Sequence, residues 1–155
     1  MIELKNLKHH PDMSEETECF SASIYYDGRK VGEVRNEGRG GCNWADWTDK
    51  AVRDQFKAWV VTLPPVKGFD GRLELNMDSD LWFSMEVQRI INDRWLRKTA
   101  KKGIAIKLDD TPEDDWLIWR GVPATPENLV RIKAKYGARI KRILNEELCT
   151  EQTKN

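Results

Sequence analysis

Histidine is scarce in this 155-residue chain, cysteine is sparse, and the formal charge balances to zero. His9 and His10 are the only histidines; they stand side by side at the end of an expected strand, with no H-x-x-x-H spacing and no cysteine neighbour, so they offer no metal site. Cys19, Cys42 and Cys149 form no C-x-x-C pair and leave one thiol over, which argues against a disulfide framework and for a reducing compartment. No apolar run approaches the ~18 residues of a membrane span. The opening MIELKNLKHH has no apolar core like that of a signal peptide, so a cytosolic protein is expected. Twenty-six basic against twenty-six acidic residues leave no long-range field. That excludes general nucleic-acid binding driven by overall charge, and any anion has to be gripped locally. Neither a nucleophile elbow nor a Cys/His signature is present, and no catalytic residue, metal or cofactor is assigned.

Tryptophan, by contrast, is plentiful. Seven in a chain of this length exceed the needs of a small core, and some are expected at an interface or in a pocket, because an indole offers a large flat surface at low entropic cost. The length suits one domain, here residues 1–149, followed by a polar, frayed tail at 150–155.

Ile2, Leu4 and Leu7 predict a first strand that ends at His10-Pro11. From Thr17 to Tyr26, Phe20, Ala22, Ile24 and Tyr26 alternate with Cys19, Ser21, Ser23 and Tyr25, the period of a strand. Asp27-Gly28 supplies a hairpin turn and Lys30 to Arg35 the return strand. Thr48 is placed to cap a helix carrying Val52, Phe56, Trp59, Val60 and Leu63, which Pro64-Pro65 ends. A short strand over Arg72–Met77 leads to a longer helix after Ser79 or Asp80, with Phe83, Val87, Ile90, Ile91 and Trp95 on one side and Gly103 as its stop. Ile104–Leu108 and Trp116–Trp119 read as strands around the acidic turn DDTPEDD. Thr125-Pro126-Glu127 opens a last helix that Gly137 splits, leaving Ile140, Ile143 and Leu144 to pack in its second piece. This order lacks a regular β-α-β-α alternation, and an α+β fold with an antiparallel sheet and helices on one side is expected.

The segment Ser14 to Asn43 concentrates the unusual features: SEETECFSASIYYDGRKVGEV runs directly into RNEGRGGCN. The turn Gly38-Arg39-Gly40-Gly41 is followed by no Gly-Lys-Ser/Thr and is not a G-x-G-x-x-G before a helix, so it is no known phosphate loop. Two readings stand open: an anion nest in which Arg39 adds charge and Asn43 or Trp44 specificity, or a tight connection that needs glycine for its backbone alone. Arg89, Arg94, Arg97, Lys98, Lys101 and Lys102 crowd the end of the long helix beside Asn92, more cations than its dipole calls for; a phosphate site and a solvated face both fit. Trp82 and Phe83 are adjacent and point about 100° apart on a helix, so one of them is available either to stack on a base or to cover a neighbouring strand or subunit. Glu15, Glu16 and Glu18 alternate in an extended segment and do not converge on a cation.

The combination of an SEET-x-CF-x-A strand, a DG-x-K turn and an N-x-G-x-GG-C end resembles the Thoeris anti-defence sponge family of phage proteins. The resemblance returns in RKTAKKGIAIKLD (Arg97–Asp109) and KYGARIKRILNEE (Lys135–Glu147), while Trp44 to Asp80 match nothing in it. Where those relatives carry an arginine in the strand after the Lys-Lys pair, this chain has Lys107, a point charge with no bidentate fork. The resemblance implies a non-catalytic protein of the host cell cytoplasm that sequesters a cyclic nucleotide immune signal, a cyclic ADP-ribose isomer or a cyclic oligonucleotide, without degrading it. It further implies a homo-oligomer with sites between subunits. Ligand-binding residues expected on these grounds are Arg39, Gly40, Gly41, Asn43, Trp82, Phe83, Asn92, Arg94 and Lys107. The alternative is a protein–protein inhibitor of a host defence nuclease or CRISPR effector, for which the acidic turn and mixed charge suit docking on a basic partner. A hydrolase of the same nucleotides is a third option.

Overall fold

Phe20, Ala22 and Ile24 turn to the core of the first of two compact units, Met1–Ile91, because alternate side chains of a strand share a face. The second unit begins at Asn92. The structure, a computed structural model, describes residues 1–68, 73–112 and 115–152.

In the first unit, β1 (Ile2–His9), β2 (Cys19–Tyr26), β3 (Arg29–Glu37) and β4 (Trp44–Trp47) form an antiparallel sheet in chain order. Asp27 and Gly28 both have positive φ, 47° and 82°, as a two-residue hairpin turn of this hand requires. The register sets Ala22 opposite Val34 and Phe20 opposite Asn36, so the buried faces of β2 and β3 coincide. Gly32 lies opposite Trp47, and a Cβ there would collide with the Asp46 carbonyl; only glycine lets β4 approach so closely.

Helix α1 (Lys50–Val60) starts at Asp49, whose carboxylate accepts from the Val52 N–H at 3.1 Å, rather than at the expected Thr48. It buries Val52, Phe56 and Val60 on the sheet. A small hairpin, β5 (Val66–Lys67) with β6 (Glu74–Leu75), follows. The expected strand over Arg72–Met77 therefore survives only at Glu74–Leu75, and Arg72 lies outside the described residues. Asp78 caps α2 (Ser79–Ala100) by accepting from the Leu81 N–H at 2.8 Å, and Phe83 and Val87 complete the core with Met77.

In the second unit, β7 (Gly103–Leu108) is buried along its whole length, between antiparallel β8 (Leu117–Arg120) and β9 (Ile140–Ile143). Ile104, Ile106 and Leu108 pack with Ile132 of α3 (Pro126–Tyr136), and Ala105 packs with Leu96, Ala100 and Leu144 at the start of α4 (Leu144–Gln152). Thr125 caps α3 by accepting from Asn128, with Pro126 in the first turn, as expected.

The antiparallel sheets with packed helices are those of an α+β fold, as the element order indicates. One element was not anticipated and two expectations are corrected. Trp44–Trp47 is a strand; Ile140–Ile143 is a strand rather than a helix; and Trp95, expected on the buried side of α2, is 52% exposed while Leu96 is buried in its stead. Glu113 and Asp114 of the expected acidic turn and residues 153–155 of the expected tail lie outside the described residues, whereas Thr150 is part of α4.

Candidate functional site

Asn36, buried on β3, organises the segment that sequence inspection singles out. Its Oδ1 accepts from the Thr17 hydroxyl at 2.8 Å and from the Gly38 N–H at 2.9 Å, and its Nδ2 donates to the Gly41 carbonyl and to Asn43 Oδ1. Thr17 Oγ1 in turn accepts from the Gly40 N–H, and the Gly38 carbonyl gathers the N–H groups of Glu15, Glu16 and Thr17. Gly38 has φ +84°, and a Cβ there would strike the Met13 carbonyl. The S-E-E-T and N-x-G-x-G-G segments thus lock into one clasp. Two of the glycine amides counted towards an anion nest, those of Gly38 and Gly40, already donate within it. Arg39 is exposed at its tip.

The clasp delivers Asn43 to the start of α2. Its backbone N–H donates to Asp80 Oδ1 at 2.5 Å, and its Nδ2 donates to the Asp80 carbonyl at 3.0 Å and to Ser84 Oγ at 2.8 Å. Beside this junction lies a cleft of about 490 Å³. Trp47 gives it an aromatic side, with the almost fully buried Phe83 behind; Asn43, Asp46, Ser79 and Asp80 supply polar groups on the β4 and α2 sides. Lys50, Arg53 and Lys57, at i, i+3 and i+7 of α1, share one helix face and form the opposite wall. Arg53 bonds Asp54 at 2.8 Å. That bond holds the Arg53 guanidinium still more firmly protonated and lowers the Asp54 carboxyl. Small-molecule sites typically run from about 300 to 1,000 Å³, so the cleft is large enough for a mononucleotide.

Of the residues singled out from sequence, Asn43 and Phe83 line this cleft together. Gly40, Gly41 and Arg39 belong to the clasp that positions Asn43. Trp82 sits edge-on to Phe56, Trp59 and Phe83, with ring centroids 5.1, 6.2 and 5.4 Å away, and Phe83 is 1% exposed. Asn92, Arg94 and Lys107 belong to the second unit. Asn92 and Arg94 are exposed on α2, whereas Lys107 is buried with its ammonium on the carbonyls of Pro112 and, at 2.9 Å, Asp115. Sequence reasoning missed Lys50, Arg53 and Lys57. Their i, i+3, i+7 spacing was readable, but only β4 and the α2 start show what they face. Comparison of the chain with protein-family models, with curated proteins and with solved structures finds no match. Among the described residues, no helix is long and apolar enough to cross a membrane, and no group of His, Cys, Asp and Glu is arranged to hold a metal ion.

Proposed function

We propose that this protein binds a small nucleotide-class anion and holds it without transforming it, seating it in the cleft between β4, α1 and the start of α2. The observation that carries this reading is the lining of one cleft by three cations, the Trp47 indole and two carboxylates. A plain anion would be repelled by Asp46 and Asp80. A nucleotide answers both sides: its phosphates meet Lys50, Arg53 and Lys57, and its hydroxyl or amino hydrogens meet the carboxylates and Asn43. The resemblance of Ser14–Asn43 to the sponge family supplies the finer identity, a cyclic signal sequestered intact. Trp44, 72% exposed on the edge strand β4, supports self-association of the kind the same resemblance implies.

A thermal-shift screen with cyclic and linear nucleotides tests the reading. Binding to the folded state alone adds about 2.7 kcal/mol at a hundredfold excess over Kd, or roughly 5–10 °C for a domain of this size. A cyclic compound should give that shift, a linear mononucleotide much less, and the double variant K50E/K57E none. Ligand released by denaturation should be intact; a cleaved product would make the protein a hydrolase. No shift with any nucleotide would favour the protein–protein inhibitor.

A further inference from the structure

The zero net charge conceals a segregation. Residues 1–91 carry twelve basic and sixteen acidic side chains, residues 92–155 fourteen and ten. Within the second unit, ion pairs engage Arg97 with Asp93, Lys133 with Glu146, Arg139 with Asp110 and Arg142 with Glu147. Lys107 is buried on carbonyls, and the Lys135 ammonium lies over the Trp119 ring at 4.9 Å. Arg131 and Lys141 are exposed on α3 and β9; of the other cations, Lys98, Lys101, Lys102 and Arg120 are also exposed, and no described carboxylate pairs with any of these four.

The fold gathers these four. Lys98 stands in the last turn of α2, and Lys101-Lys102 form the turn into β7. Arg120 ends β8 directly opposite Gly103, and the next residue, Gly121, donates its N–H to the Lys102 carbonyl at 3.1 Å. Trp95, 52% exposed, precedes Lys98 by three residues on α2 and so shares its face. An exposed indole beside four unpaired cations is the combination that single-stranded nucleic acid requires: charge for the backbone and a flat ring for an unstacked base. A bilayer would ask for a broad apolar face. In the second unit the large exposed apolar residues are Trp95 and Val130 alone among the described residues.

We propose that this end of the second unit binds single-stranded nucleic acid, its phosphates on Lys98, Lys101, Lys102 and Arg120 and a base stacked on Trp95. The surface is independent of the cleft described above, and it reverses the expectation drawn from total charge.

The experiment uses the full chain, a fluorescein-labelled twelve-residue oligo(dT) and its oligo(U) counterpart, with anisotropy followed from 50 to 200 mM salt. Four phosphate contacts on a single strand predict a log–log salt slope of about −3. K98E/K102E should weaken binding by more than tenfold and flatten the slope. W95A should weaken it by at least about fivefold and leave the slope unchanged, and circular dichroism should show both variants folded. K50E/K57E should bind the oligonucleotide like the parent chain, which separates this surface from the nucleotide cleft. The proposal is overturned by absence of binding at 50 mM salt, by wild-type affinity in folded K98E/K102E, or by loss of binding in K50E/K57E. Duplex DNA bound as tightly as the single strand, or binding to phosphatidylserine vesicles without binding to oligonucleotides, would also overturn it.

Discussion

Two buried asparagines, one in each unit, hold the backbone where the sheets alone cannot. Asn36 satisfies the Gly38 N–H and the Gly41 carbonyl in the clasp. Asn145 accepts from the Ala105 N–H at 3.0 Å and donates to the carbonyls of Ala100 and Gly103, fastening the end of α2 to the start of β7. Removing a buried partner strands the groups it served, at about 1–3 kcal/mol. N36A and N145A should each lower stability by that amount, read as a fall in the urea midpoint with unchanged m-value. N145L is the sharper test. It keeps the volume and adds apolar surface, so it should still destabilise if hydrogen bonding is what Asn145 contributes; a neutral N145L would show that only packing mattered there. Gly38 is the position where sequence and structure agree most closely on glycine, and they agree on the tight connection: its φ and the nearby Met13 carbonyl demand glycine, and its amide is spent within the clasp. The segment Ser14–Asn43 was therefore legible as special, yet its partners were not. Nothing in the sequence tells that Asn36, rather than an anion, answers the Gly38 N–H.

At the scale of elements, the β1–β3 meander, α1, α2 and α3 were readable because of their period: alternation with Asp27-Gly28 in the first and helical spacing in the others. The cap itself was read correctly only at Thr125 of α3, since Asp49 and Asp78 cap α1 and α2. The failures share one cause. Trp44–Trp47 and Ile140–Ile143 are four-residue strands defined by pairing with β3 and β7, and a stretch that short has too few positions to show a period. Missing β4 meant missing the cleft, since β4 carries Asp46 and Trp47 to the wall of α1. The cap of α1 ties this wall to pH. Arg29 bonds Asp49 at 2.6 Å and, with the Val52 N–H, holds its carboxyl below the ordinary value of 3.8. A carboxyl depressed on folding contributes fully above its unfolded value and loses that contribution as pH falls through the folded one. The contribution is thus complete at neutral pH and disappears only below pH 3.8. In D49N, which keeps an oxygen for the Val52 N–H but cannot ionise, the acid limb of a Tm-against-pH curve should be shallower than in the parent. An unchanged limb would assign acid sensitivity to other carboxylates.

For the whole molecule, the uneven split of charge matters more than the zero total. One unit is acidic in excess and the other basic, so copies of the chain can attract head to tail even though neither carries net charge. Such attraction is screened within about 10 Å at 0.1 M salt, whereas contact through the exposed Trp44 on the edge of β4 would be apolar and would persist. The two routes to an oligomer therefore answer differently to salt. Sedimentation velocity near pH 7 should show association at 20 mM NaCl that gives way to the 18.1 kDa monomer by about 300 mM if charge drives it. A mass that stays above the monomer at 300 mM NaCl and drops in W44S would instead place the contact at β4. That outcome would also make the neighbouring cleft, which Asp46 and Trp47 of the same strand help to line, the natural place for a second subunit to complete the site. A monomer at both salt concentrations would remove self-association from the reading and leave the cleft to act within a single chain.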